Sequence, residues 1–277
     1  MMPQPRGRST WVWQTRDVIS DAASIDRFAS FSARNAIRRV FVHVDPDLSF
    51  DDFAAFVARC ASGSARVDVE ALMGDPGWVL NPDHESFRGR LAWVTAYQSR
   101  QAGNPDMQIR GLHLDIEPWH LPDWEANKSA YMQSFLQVVR DYTQRAHAMS
   151  PPLPVTADLP FWLHTVPTNT GGVDPVDALL SVLDGAVFMT YRNAPAVLAD
   201  IAGPALAAAA RHPRATVDLA VETRNCDGEG RHLSYHGLGR ARLERDLAVV
   251  EGRVLPGPHR HRMGLVVHDY HGWAEMQ

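Results

Sequence analysis

The sequence predicts an α/β protein built as a single (β/α)8 barrel over residues 1–277, and three observations agree on this. Eight short runs rich in β-branched and aromatic residues recur along the chain, and helix-like segments separate them. No glycine-rich phosphate turn follows the first run, which argues against a doubly wound open sheet. No linker or repeat marks a second domain, and barrels of this length commonly form one core.

The predicted elements alternate in a regular order. The strands are expected at 10–14, 38–45, 66–74, 110–118, 154–160, 185–193, 215–224 and 262–270. The clearest helix covers 122–148, where apolar residues fall three and four positions apart. The alanine-rich segment 195–212 is also helical in propensity, but Gly203 and Pro204 should bend or split it. Because the chain stops soon after the eighth strand, we expect the last helix to be short or missing.

Composition limits the classes of partner. The net charge of -5 leaves no basic surface of the kind that binds nucleic acid, so no nucleic-acid partner is expected. Cys60 and Cys226 are too few for a cysteine zinc site, and they are either two free thiols or one disulfide. The N-terminus lacks the apolar core of a secretory signal, and no run approaches the length of a membrane span. We therefore expect a cytoplasmic location, or secretion if an export signal has been removed.

The fourth predicted strand contains the stretch GLHLDIEP, which places ionisable residues on every second position. His113, Asp115 and Glu117 share one face, and the apolar residues between them share the other. Barrel enzymes carry their chemistry at the C-terminal ends of the strands. Because buried carboxylates gather at active sites, this face is the first candidate for a site.

Other strands also end in polar or aromatic residues. We expect contacts with substrate from His113 and from the strand-end residues Asp45, Glu70, Asp158, His268 and Tyr270. Tryptophans lie at or just past several strand ends, and their flat apolar rings suit the faces of sugar rings. The predicted sugar contacts are Trp13, Trp78, Trp119 and Trp162, although ordinary core packing is the alternative for each of them.

Most glycoside hydrolases use two carboxyl groups that flank the scissile bond. The sequence offers two such pairs, and both use Glu117 as the general acid/base. In the first pair, Asp115 assists an N-acetyl group of the substrate, which attacks in place of a protein nucleophile. In the second pair, Glu222 at the end of the seventh strand is the nucleophile.

Two of these stretches resemble known motifs. GLHLDIEP is similar to the fourth-strand motif of family 18 glycoside hydrolases, the chitinase-like group, and FMTYRN is similar to the sixth-strand Met-x-Tyr motif of that family. The resemblance implies that Glu117 is the acid/base, that Asp115 orients the acetamido group and that Tyr191 holds its oxygen. The chain departs from the pattern where His113 replaces the middle Asp. It departs again at Arg110, in place of the first Asp, and at Arg192 after the tyrosine.

The chain also resembles the clan of retaining barrel glycosidases that use one glutamate from the fourth strand and one from the seventh. Glu117 and Glu222 match these two positions, but Ile116 occupies the place of the usual Asn before the acid. Of the two partners we favour Glu222 as the nucleophile. It ends the predicted seventh strand, and the alternation of side chains along that strand points it into the barrel, so we expect it at the barrel mouth. A carbohydrate is the expected substrate, and no cofactor or metal is expected.

The sequence is also compatible with two other functions. A metal-dependent hydrolase would use nitrogen and oxygen ligands from the pairs His43 with Asp45, His113 with Asp115, and His268 with His271. A catalytically inactive barrel would bind a glycan without cutting it, because a fold and its cleft can persist without the chemistry.

Overall fold

A computed structural model describes residues 7–81, 83–168, 172–226, 228–254 and 262–277. Eight parallel strands pair in chain order and close into a barrel, β8 lying beside β1. The strands are β1 (Arg8–Val12), β2 (Ile37–His43), β3 (Asp68–Met73), β4 (Gly111–Leu114), β5 (Val155–Pro160), β6 (Gly185–Met189), β7 (Thr216–Glu222) and β8 (Met263–His268). Every predicted strand overlaps an observed one, so the barrel prediction is confirmed.

The helices surround the barrel. They are α1 (Thr15–Ile19), α2 (Ala22–Arg34), α3 (Phe50–Ser62), α4 (Glu85–Arg100), α5 (Trp124–His147), α6 (Pro175–Leu180), α7 (Pro195–Ile201), α8 (Gly203–Arg211), α9 (Arg240–Val254) and α10 (Tyr270–Glu275). Helix α5 matches the predicted helix 122–148. The alanine-rich segment is split between α7 and α8 beside Gly203, as expected. The short helix α10 is the last one, which agrees with the prediction for the end of the chain.

The alternation predicted for the fourth strand is observed. Leu112 and Leu114 belong to the main core between the strands and the helices, whereas His113 is fully buried inside the barrel and stacks on Phe41 of β2 at 3.7 Å between ring centroids. The strand itself ends at Leu114. The chain that follows it carries the two carboxyl groups of the motif to the barrel mouth.

The barrel interior contains a cluster of three charged residues, and a layer of apolar residues separates this cluster from the C-terminal mouth. Arg39 lies between Glu70 and Asp218, and all three side chains are less than 9% exposed. Burial opposes the charge of Arg39, but the attraction of the two carboxylates outweighs it and raises the pKa of the guanidinium. Nearer the C-terminal ends of the strands, the interior is filled by Trp11, Phe41, Leu72, Val187, Ala220 and Val266. The barrel is therefore packed up to its mouth.

Gly74, directly after β3, allows the chain that follows β4 to pass close by. A Cβ at this position would lie 1.7 Å from the carbonyl oxygen of Asp115. We expect Gly74→Ala to lower the free energy of unfolding by about 1–3 kcal/mol, because the added methyl group must push two backbone segments apart. Urea denaturation measures this change. The control Gly103→Ala adds a methyl group with no atom within 4 Å, and an equal effect of both substitutions would contradict the account.

Cys60 is buried and Cys226 is partly exposed, and no disulfide joins the two, so the alternative of a disulfide between them is wrong. Among the described residues, no helix has the length and apolar character that crossing a bilayer requires.

Candidate active site

A cavity of about 300 Å³ opens at the C-terminal ends of the strands. It is lined by Trp11, Trp13, Asp115, Glu117, His120, Asp158, Met189, Tyr191, Arg224 and His268. The cavity therefore brings together both acids of the fourth-strand motif and the tyrosine of the sixth-strand motif. Three of the predicted substrate contacts, Trp13, Asp158 and His268, lie there as well. This is the place where barrel enzymes bind their substrates.

Glu117 owes its position to an unusual backbone conformation. Its φ of 46° is left-handed, which is uncommon for a residue with a side chain, and a short 3₁₀ turn, Pro118–His120, follows it. The turn brings Trp119 back onto the carboxyl group, and the indole Nε1 donates a hydrogen bond of 2.8 Å to Oε2. Nε2 of His120 lies 3.3 Å from the same oxygen. Glu117 is thus held at the cavity while its side chain stays 23% exposed.

Asp115 and Asp158 form an acidic wall beside Glu117. Burial, followed by the charges of Asp158 and Glu117, raises the pKa of Asp115 well above its ordinary value. Burial and the charge of Glu117 also raise the pKa of Asp158. Like charges in a site with little water cannot all ionise, so this cluster retains protons at pH values where an exposed aspartate has lost its own.

Tyr191 follows β6 and closes another side of the cavity. Burial of its hydroxyl group raises its pKa well above the ordinary value, and the carboxylates of the site add to the shift. The hydroxyl therefore keeps its proton at neutral pH. It is available as a hydrogen-bond donor to an oxygen atom of a bound molecule.

Glu222 has a different environment from the one expected of a nucleophile. Its Oε1 accepts hydrogen bonds from the backbone N–H groups of Thr223 at 2.8 Å and Arg224 at 2.7 Å. Its Oε2 lies 2.9 Å from Nδ1 of His268, whose Nε2 accepts a hydrogen bond from Trp13. Glu222 is not among the described residues that line the cavity. Its carboxylate orients His268 and the turn after β7.

Two predicted aromatic contacts lie outside the cavity. The 3₁₀ turn Pro76–Val79 folds the Trp78 ring into the core, where it is fully buried and stacks on Tyr142 at 5.9 Å. Tyr270 lies beyond the end of β8, so the strand alternation does not reach it. Its ring packs on Phe28 of α2 at 5.0 Å, on the outer side of the barrel. The expectation of sugar contacts at these two rings is therefore corrected.

Three further predicted contacts also lie elsewhere. Asp45 is 42% exposed at the rim and pairs with Arg90 at 3.3 Å. Glu70 is buried inside the barrel beside Arg39. Trp162 packs edge-on against Trp119 at 5.7 Å, and it is Trp119 that contacts Glu117.

Four lining residues were not predicted from the sequence as site residues: Trp11, His120, Met189 and Arg224. Strand alternation places Trp11 and Met189 inside the barrel and is the signal that identifies them. His120 and Arg224 lie in loops, whose course the sequence pattern does not give.

In the part of the chain that the structure describes, the residues do not form the metal site that a metal-dependent hydrolase needs. There, no group of three His, Cys, Asp or Glu side chains is arranged to hold a metal ion. His43 and Asp45 lie 3.7 Å apart at the rim. His268 is bound to Glu222 and Trp13 instead.

Known proteins match this chain in structure but not in sequence. No family model matches the chain, and no curated protein matches it by sequence. Solved structures do match, and the most similar ones include chitinases with a barrel of this kind. At the sequence identities found, the likeness shows a shared fold.

Three matches cover nearly the whole of this chain. The class V chitinase from Nicotiana tobaccum has a TM-score of 0.56 and 13% identity, with 96% of this chain and 94% of that chain covered. The chitinase from Chromobacterium violaceum ATCC 12472 has a TM-score of 0.52 and 12% identity, with 96% of each chain covered. The spore cortex-lytic enzyme SleL from Bacillus megaterium QM B1551 has a TM-score of 0.55 and 9% identity, with 96% of this chain and 71% of that chain covered.

Proposed function

We propose that this chain is a glycoside hydrolase that cleaves chains of N-acetylated amino sugars with help from the substrate's own acetamido group. One observation carries the proposal: Asp115, Glu117 and Tyr191 line the same cavity at the C-terminal mouth of the barrel. The fold likeness to chitinases supports the substrate class, and a mutant of the tobacco enzyme was solved in complex with NAG4, at a TM-score of 0.50 and 15% identity.

Each residue has a role in this mechanism. Glu117 gives its proton to the glycosidic oxygen as the bond to C1 breaks, and the carbonyl oxygen of the acetamido group bonds to C1 in its place. Asp115 faces the acetamido N–H and stabilises the positive charge that develops there. The Tyr191 hydroxyl donates a hydrogen bond to the carbonyl oxygen. Water then attacks C1 as the bond between C1 and the acetamido oxygen breaks, and Glu117 takes back a proton from that water.

The environment of Glu222 supports this choice over a two-glutamate mechanism. A nucleophile needs a free oxygen aimed at the substrate. Both carboxylate oxygens of Glu222 are engaged by Thr223, Arg224 and His268. Asp115, in contrast, has a buried Oδ1 with no hydrogen-bond partner among the described residues, and it lies at the cavity. A buried, unpaired acceptor of this kind suits the N–H of a ligand.

The test compares the tetramer of N-acetylglucosamine with the same tetramer after complete removal of its acetyl groups. We expect hydrolysis of the first and at least about a hundredfold lower kcat for the second, because the internal nucleophile is missing. Product chromatography gives the rates. Equal hydrolysis of both tetramers would reject the participation of the acetamido group. Binding of the tetramer without any cleavage would instead support the inactive, glycan-binding barrel.

A further inference from the structure

Trp119 packs among aromatic rings and directs its one polar atom at Glu117. Its ring meets the rings of Trp124, Phe135 and Trp162 edge-on, with centroids 6.4, 6.1 and 5.7 Å away. Trp119 is not among the described residues that line the cavity. Its Nε1 donates a hydrogen bond of 2.8 Å to Oε2 of Glu117. Packing therefore holds the ring, and the ring holds an N–H against the carboxyl group.

The backbone after β4 brings this N–H to the carboxyl group. Glu117 has a left-handed φ of 46°, and the carbonyl oxygen of Glu117 accepts a hydrogen bond of 3.0 Å from the N–H of His120. The N–H of Leu121 donates to the carbonyl oxygen of Pro118 at 3.1 Å. These bonds close the short turn in which Trp119 lies. The hydrogen bond to the carboxyl group is thus formed before any substrate binds.

Two nitrogen atoms lie against the same oxygen of Glu117. Nε2 of His120 is 3.3 Å from Oε2, the oxygen that already accepts from Trp119. An indole N–H can only donate, so Oε2 acts as an acceptor whether Glu117 is ionised or neutral. In a neutral carboxyl group the carbonyl oxygen is the better acceptor, and the hydroxyl group is the donor. The contacts at Oε2 therefore favour a proton on Oε1.

We propose that Trp119 is a positioning residue whose N–H keeps Oε2 of Glu117 free of the proton, so that Oε1 carries the proton given to the glycosidic oxygen. This role rests on the proposed function, because it is a task within that reaction. As the O–H bond at Oε1 breaks, its electron pair stays on the carboxylate and the proton goes to the leaving oxygen. The N–H then stabilises the carboxylate through a charge-assisted hydrogen bond. The proton taken from water returns to Oε1.

Several titratable or charged groups share the cavity with Glu117. They are Asp115 after β4, His120 in the turn, Asp158 on β5, Tyr191 after β6, Arg224 after β7 and His268 on β8. Burial is the main cause of the raised pKa of Asp115, and the charge of Glu117 and a hydrogen bond between the two carboxyl groups add to it. His120 is 64% exposed and contacts Oε2 directly, so each test below is also made without it.

NMR spectroscopy of the indole N–H groups tests the contact without any substrate. Trp119→Phe identifies the signal of Trp119 by its loss. In the His120→Asn protein, this signal should move downfield as the pH rises, because an N–H binds an ionised carboxylate more strongly than a neutral acid. The movement should be absent after the further change Glu117→Gln. A signal that does not move with pH, or that moves equally after Glu117→Gln, would overturn the proposal.

Kinetics on the N-acetylglucosamine tetramer test the consequence. Trp119→Phe keeps an aromatic ring and removes the donor, so we expect kcat to fall about 10- to 100-fold while KM changes less than about twofold. The alkaline limb of the kcat profile should move up by about one pH unit, because the ionised carboxylate has lost an N–H that stabilised it. The same shift is expected when His120→Asn is present in both proteins.

Trp124→Phe is the matched control, because it makes the same change in the same group of rings. Trp124 contacts Trp119 edge-on and is not among the described residues that line the cavity. It should leave the alkaline limb in place and kcat within about threefold. Equal effects of the two substitutions would overturn the proposal. A higher KM with an unmoved limb in Trp119→Phe would do so too, since it would identify the ring as a sugar contact.

The two tests separate the proposal from the proposed function. If the wild type cleaves no tetramer, the proposed function fails. The NMR result still decides whether the N–H of Trp119 responds to ionisation of Glu117.

Discussion

Replacing Glu117 with glutamine is expected to lower kcat on the N-acetylglucosamine tetramer by about 10²–10⁴-fold and to change KM little, which is the range for loss of a general acid. Glutamine has the same shape, and its carbonyl oxygen can accept the hydrogen bond that Trp119 donates to Glu117. It cannot give a proton to the leaving oxygen. Steady-state kinetics with purified protein, whose fold is checked by circular dichroism, measure the effect.

Glu222→Gln is the matched control for this substitution. The amide oxygen of glutamine can still accept the two backbone hydrogen bonds that Oε1 of Glu222 accepts, and only the hydrogen bond with Nδ1 of His268 is lost. We therefore expect a loss of kcat below about tenfold, since the residue orients its neighbours and performs no chemical step. If both variants lose activity to the same extent, the two-glutamate mechanism becomes the better account and the proposed role of Asp115 is wrong.

The second large effect concerns stability. Arg39→Met is expected to lower the free energy of unfolding by about 3–5 kcal/mol, because it leaves Glu70 and Asp218 buried without their cation. Urea denaturation followed by tryptophan fluorescence measures it. The side chains of Glu70 and Asp218 are 8% and 3% exposed, so water cannot replace the guanidinium.

Arg59→Met is the control for Arg39→Met. Arg59 pairs with Asp26 at 2.6 Å, but the two side chains are 39% and 61% exposed, and exposed pairs contribute about 0–1 kcal/mol. If Arg39→Met destabilised the protein no more than this control, the buried charged group would not hold the barrel together as described.

The fold could be predicted because strands and helices alternate in their periodicity along the whole chain. The period of two in GLHLDIEP correctly placed His113 inside the barrel and Leu112 and Leu114 outside it. The same rule failed at Tyr270, since β8 ends at His268 and α10 begins beyond it. Periodicity is informative only as far as the strand extends.

The site could be predicted in part, for a similar reason. Asp115, Glu117 and Tyr191 lie just after strand ends and Asp158 lies near the end of β5, and the closure of the barrel brings those ends together. Trp78 could not be placed, because a turn of four residues decides whether its ring faces the cavity or the core. Nor does the sequence show that the oxygens of Glu222 are engaged by the turn that follows it.

A crystal structure of the Glu117→Gln variant with the N-acetylglucosamine tetramer would show whether the acetamido group takes part in the reaction. The proposed mechanism requires that the acetamido nitrogen of the sugar at the cleavage point lies about 3 Å from an oxygen of Asp115. Its carbonyl oxygen should lie about 3 Å from the Tyr191 hydroxyl and point back towards C1 of the same sugar. An acetamido group turned out to solvent, with Glu222 as the carboxylate nearest to C1, would contradict the proposed mechanism.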